Sequence, residues 1–249
     1  MAMRGAIAFG ALLACGVASA QTSAPAAAED LAQAELLYQR GDLASMRSAL
    51  ALYDQAASAR PGDYEAQWKA ARCHREYANK AKELQIKGWK KLCAEHGKVA
   101  MAYGAKAIAI EPDRAPGHLW YGSAVGTYAD GVSLLTALAE GLKDKTQRAF
   151  ERAYQIDKHY NEAGPMLALG RFWSVLPWPM KDNRRALQFL REYQRHFPAK
   201  PEGQLYLVEV LLDEGGKANQ AEARTLLDQL ERCGVPFYQQ RAVELRGKL

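Results

Sequence analysis

The chain has 249 residues, with 33 Lys and Arg against 28 Asp and Glu, a formal net charge of +5, and 49% apolar against 24% charged residues. That composition is globular and excludes a disordered chain. Five excess charges over such a length make no nucleic-acid footprint, and four Cys are too few for a disulfide-built scaffold.

Residues 1–20 read as a secretory signal peptide. Arg4 precedes a nine-residue apolar run from Ala6 to Ala14, and Ala18-Ser19-Ala20 supplies small residues before a cut. The run falls short of the roughly 20 residues that span a bilayer. Cleavage removes Arg4 and lowers the net charge to +4. A rival processing exists, because Leu12-Leu13-Ala14-Cys15 is similar to a lipobox. Cleavage leaves a soluble periplasmic protein; lipidation at Cys15 would anchor it, and only then is membrane attachment expected. Residues 21–29 are small, Ala-rich and contain Pro25, which suits a flexible leader. Residues 30–249 are expected to form a single domain.

That domain carries a repeat. Five, eight and twelve residues before Pro61 stand Ala56, Tyr53 and Ala49. The same offsets give Ala107, Gly104 and Ala100 before Pro112, and Tyr193, Leu190 and Ala186 before Pro198. Lys158 holds the proline slot behind Ala153, Phe150 and Thr146. A fifth, degenerate copy runs Ala223, Leu227, Leu230 and Val235. These offsets share one helix face, the small residues admit a close neighbour, and the proline stops the helix. Asp63 and Asp113 suit the turn into the next helix. Before each such helix lies another apolar-periodic segment, clearest in Leu169-Gly170-x-x-Trp173. The pattern predicts an all-α, tetratricopeptide-like solenoid of stacked helical hairpins.

The anchors Pro61, Pro112, Lys158 and Pro198 are more widely spaced than the roughly 34 residues of a standard repeat. Insertions are therefore expected inside the pairs, near 79–96, 131–144 and 176–183, the first two long enough for helices of their own. The first is basic (Arg72, Arg75, Lys80, Lys82, Lys87, Lys90 and Lys91 concentrate charge there) with Leu84, Trp89 and Leu92 among the charges. It reads as a docking patch for an acidic partner or anionic lipid, or as a solvated face. The second is apolar up to Glu140 and must skim a membrane, line a cavity or cap the solenoid core. The third, Leu176-Pro177-Trp178-Pro179-Met180, is a stiff loop with a Trp at its centre. Trp178 either fills a gap or walls a site.

Cys73 and Cys93 flank the first insertion, and a helical hairpin can bring them together as a disulfide. The set His74, Cys73, Cys93 and His96 fits no common zinc spacing, so no metal is expected. No phosphate loop, His-Glu-x-x-His, Gly-x-Ser-x-Gly or Gly-x-Gly-x-x-Gly is present, and no cofactor is implied. A non-catalytic binding protein is the expectation.

The order Leu119-Trp120-Tyr121-Gly122, Ala149-Phe150-x-x-Ala153-Tyr154-x-x-Asp157, Leu169-Gly170-Arg171-Phe172, Leu176-Pro177 and Asp182-x-x-x-Ala186 resembles the T-components of tripartite ATP-independent periplasmic (TRAP) transporters. It is also similar to a broader set of helical proteins that includes regulators of microtubule dynamics. The resemblance implies a periplasmic repeat protein that meets a substrate-binding protein, holds a small hydrophobic or anionic ligand, and forms homo-oligomers. The sequence departs from the T-components where Trp178-Pro179-Met180-Lys181 replaces a glycine-rich turn. Trp120, Tyr121, Arg171, Trp173 and Trp178 are the candidate lining, the rings for apolar contact and Arg171 as counter-charge. The alternative is a cell-envelope assembly scaffold that carries no small-molecule cargo.

Overall fold

The structure is a computed structural model and describes residues 24–249, with side chains from 29 onward. The expected signal peptide and Cys15 lie outside the described residues. Twelve helices and no strand occur among the described residues. They are α1 (Ala24–Gln39), α2 (Leu43–Ala59), α3 (Tyr64–Glu83), α4 (Trp89–Ile110), α5 (Ala115–Gly131) and α6 (Leu134–Ala139), followed by α7 (Leu142–Asp157), α8 (Tyr160–Val175), α9 (Asn183–His196), α10 (Pro201–Glu214), α11 (Lys217–Leu230) and α12 (Pro236–Arg246). Helix α1 begins inside the stretch expected as a leader. None of these helices is long and apolar enough to cross a membrane.

Five hairpins stack: α1/α2, α3/α4, α5/α7, α8/α9 and α10/α11, with α12 closing the C-terminal end. The first helices of the pairs run one way and the second helices run back. All connections from second to first helix therefore share one rim, the proline rim. All connections from first to second helix share the other, the insertion rim.

The repeat positions explain the stacking. Ala49, Tyr53 and Ala56 in the first copy, and Ala186, Leu190 and Tyr193 in the fourth, are buried, as are their equivalents in the other three. Helices α2, α4 and α9 stop two residues before Pro61, Pro112 and Pro198, as a residue without an N–H dictates. Asp63 caps α3 by accepting from Ala66 N at 3.0 Å. Asp113 does not cap α5; Arg114 holds that position, and Asp113 pairs with Arg152. The small residues bring backbones together. A Cβ on Gly97 would lie 2.6 Å from Tyr128 N, and one on Gly104 would lie 2.9 Å from Tyr121 Cα, so α4 and α5 touch main chain to main chain. Gly170 likewise receives the Leu190 side chain.

The insertions differ from expectation. Residues 79–96 form no separate helix. They lengthen α3 and α4 to 20 and 22 residues around a turn at 84–88. The second insertion yields the short α6, in which no residue is buried, so it does not cap the core. Exposure of Leu134, Leu135 and Leu138 is 56%, 78% and 50%. The third insertion is a loop.

The expected Cys73–Cys93 bond is not made. Both thiols are free and buried. Cys73 Sγ faces Met46 O and Cys93 Sγ faces Ala78 O, because the two side chains lean on different helices. Burial pushes their pKa values up to about 12 and about 11, which makes both poor nucleophiles.

Candidate binding groove

The concave face is made by the first helices. Each packs one stripe on its partner and leaves a second stripe facing inward. In α3 the inward stripe is Arg75, Asn79 and Lys82; in α5 it is Ser123, Thr127 and Asp130; in α8 it is Ala168, Arg171 and Val175. Spacings of three and four keep each set on one helix face. Glu202 and Tyr206 of α10 close the far side. Together they enclose a groove of about 440 Å³, floored by Leu119, Trp120, Phe150 and Phe172.

The groove is amphipathic and its charges are mostly paired. Arg75 binds Glu76 at 2.6 Å, and Lys82 binds Asp130 at 2.7 Å. Burial works against the Arg75 charge, but Glu76, Glu202 and Tyr206 outweigh it and hold the guanidinium more firmly protonated than usual. Arg75 Nε is buried and has no hydrogen-bond partner among the described residues. Arg171 pairs with Glu209 and lies 4.5 Å over the Tyr206 ring. Tyr206 donates to Glu202 at 2.8 Å, and burial raises its pKa well above the ordinary value.

Of the five candidate lining residues, the structure brings Trp120 and Arg171 to the groove. Trp120 is buried in the floor and donates through Nε1 to Tyr160 Oη at 3.3 Å. The other three lie elsewhere. Tyr121 packs its backbone on Gly104 at the α4–α5 contact. Trp173 is buried in the core, with Arg185 stacked on it at 4.6 Å. Trp178 is 90% exposed on its loop and forms no part of the groove. Sequence reasoning assigned Arg75 to the basic first insertion instead of the groove, and missed Glu202 and Tyr206. Their signal was the second three-and-four stripe on the first helices, which the search for core positions passes over.

A polar cluster sits inside the α3/α4 hairpin. His74 Nε2 meets Asp54 Oδ1 at 2.9 Å, and His74 Nδ1 meets His96 Nδ1 at 2.8 Å. Asp54 accepts from His74 Nε2–H, and a single hydrogen bridges the two facing Nδ1 atoms. Burial and the neighbouring His74 push the His96 pKa down to about 4. The two rings bind each other, and no group of three potential metal ligands comes together among the described residues.

Stacked hairpins around an inward groove define a helical-repeat protein of the tetratricopeptide type. The profile of the family described as regulator of microtubule dynamics protein 1-3 matches residues 30–175, more than half of the chain, and the chain belongs to that family. Among solved structures it is similar to TTC0263, a thermophilic TPR protein of Thermus thermophilus, at 17% identity and TM-score 0.62, over 89% of this chain and 98% of that one. MamA is similar at 13% identity and TM-score 0.47, over 89% and 92% of the two chains. PilW, a type IV pilus biogenesis factor, is similar at 15% identity and TM-score 0.39, over 88% and 99%. The likeness to the Thermus protein concerns the fold alone. No curated protein matches the chain.

Proposed function

We propose that the chain is an exported, non-catalytic adaptor that takes an extended segment of a partner protein into the groove between α3, α5, α8 and α10. The observation that carries this is the convergence of four helices from four hairpins on one amphipathic groove. Apolar floor and paired charges on the walls suit a peptide that brings both side-chain types. The unmet donor at Arg75 adds a place for a backbone or carboxylate oxygen. Export rests on the leader at 1–20 and periplasmic residence on the same reading. The family description names microtubule dynamics; our reading keeps the helical-repeat binding role and assigns a different partner, because an exported chain does not meet microtubules.

A second reading is favoured by the groove's size. About 440 Å³ lies within the range of small-molecule sites, and Trp120 with Phe172 would take an apolar body while Arg75 and Arg171 took an anionic end. That is the cargo role the T-component resemblance implies, with a periplasmic substrate-binding protein as partner. Genes for TRAP permease subunits beside this one would support it.

The test uses Gly126. It lines the groove, and a Cβ there meets nothing within 4 Å, so Gly126→Trp fills the groove without disturbing the core. The wild type and Gly126→Trp are used as bait against envelope extract, and bound material is analysed by mass spectrometry. A protein recovered by the wild type and lost by at least ~tenfold in the variant is the expected result. An organic ligand lost in the same way favours the second reading. Equal recovery by both chains overturns the groove as the site.

A further inference from the structure

The insertion rim is unlike a solvated surface. Of the twelve large apolar residues that are exposed among the described residues, seven stand on it. Leu84 and Ile86 are on the α3–α4 turn. Leu134, Leu135 and Leu138 are on α6. Val175 and Trp178 are at the α8–α9 loop. These connections are neighbours. Lys82 reaches Asp130 across to α5 at 2.7 Å, and Gly131 lies against Lys90 O and Ala94. Lys143 of α7 sits 5.8 Å over the Trp173 ring near the end of α8. Exposed apolar tips from three successive hairpins thus line one edge.

The charge around these tips is cationic. Lys87, Lys90 and Arg184 have no carboxylate partner among the described residues, whereas Asp130, Asp144, Asp182 and Asp213 on the same rim are each tied to a Lys or Arg. Glu83, Glu140 and Glu214 on this rim also lack a Lys or Arg partner among the described residues, but Lys145 and Lys217 join the unpaired cations, so positive charge is in excess among the apolar side chains. We infer that the insertion rim docks on an anionic lipid surface, with Leu134, Leu135, Leu138 and Trp178 entering the headgroup boundary and Lys87, Lys90 and Arg184 meeting the phosphates. This contact needs no acyl anchor and is independent of what the groove holds. It puts on the rim the membrane option that the sequence left open for the second insertion.

Binding is measured by flotation with vesicles of phosphatidylcholine alone, or with about one third phosphatidylglycerol. The full chain carries Cys15→Ala and is produced through its own export signal, so no lipid anchor contributes. Expected are a preference for the anionic vesicles, loss of it at high salt, and quenching of Trp emission by brominated lipid that Trp178→Phe reduces. Leu135→Asp with Leu138→Asp should weaken binding at least ~tenfold, and Lys87→Glu with Lys90→Glu should weaken it several-fold. Val243→Asp, an equally exposed apolar site on α12, should leave it unchanged. All these side chains are exposed, so the thermal midpoint should stay put and keep the comparison clean. Equal binding by the Leu135/Leu138 variant and the wild type would overturn the proposal. So would absence of binding to either vesicle, or capture of an acidic protein by the same residues in place of lipid.

Discussion

The two rims of the solenoid are built on opposite principles. At the proline rim the turns are short and tied: Arg60 to Asp63 at 2.8 Å, Arg114 to Glu111 at 3.2 Å, and Lys200 across to Glu162 at 2.7 Å. Tyr64 Oη accepts from Gly117 N at 2.9 Å and joins the start of α3 to the start of α5. At the insertion rim the connections are unequal in length and expose leucines and a tryptophan. The lesson is a division of labour. Both rims are pinned by ion pairs, among them Lys82–Asp130 and Lys181–Asp213 on the insertion rim, but only the insertion rim has room for longer connections with exposed apolar tips.

Substitutions can break this contrast or sharpen it. The largest effect is expected where the insertion rim still touches the core. A Cβ on Gly131 would fall 2.3 Å from Ala94 N, so Gly131→Ala must push α4 and α5 apart and should cost about 3 kcal/mol or more in urea unfolding. Gly62→Ala at the proline rim meets nothing within 4 Å and should stay close to wild type.

Acid comes next and acts on the hairpin body between the rims. His96 has its pKa lowered from 6.5 to about 4, so the unfolded chain binds the proton more readily. Stability should therefore fall as pH drops from about 6.5 to about 4, by on the order of 2 kcal/mol. Asp54, Tyr77 and Tyr103 face this ring pair, and His96→Phe should flatten the slope in that window. For Glu35, burial is outweighed by Arg72, Tyr53 and Lys69, which hold its pKa below the usual value; it adds a further loss as pH falls through the carboxylate range.

Tyr64→Phe removes the clasp at the proline rim and leaves Gly117 N unpaired; about 1–2 kcal/mol is the expected loss. Leu135→Asp should be the mildest, within about 0.5 kcal/mol of wild type, since Leu135 is 78% exposed. A large loss there would mean that the insertion rim is structural after all.

The contrast also explains what was legible in the sequence. The repeat was readable because proline stops and the small-and-bulky positions before them are local consequences of helix packing. Buried Ala56, Leu190 and Leu227 follow from spacing alone. The insertions were visible as excess length, but their conformation was not. Residues 79–96 continue two existing helices, and nothing in a basic stretch distinguishes that from a new one. The site was half legible. Trp120 and Arg171 belong to the groove, while Trp173 faces the core and Trp178 faces water. Aromatic character marks a residue that needs covering, and only the curvature of the stack decides what covers it. Arg75, Glu202 and Tyr206 come together because α3 and α10, 118 residues apart between Glu83 and Pro201, curl to face one another. No local pattern records that.

This curl has a further consequence. A stack of hairpins in which each touches its neighbours can melt piecemeal, one end loosening while the other stays closed. Anything lodged between Arg75 and Glu202 spans hairpins that do not adjoin in the chain. It would act as a rivet across the arc, and an assembly that frays from its ends when empty would come apart as one body when full.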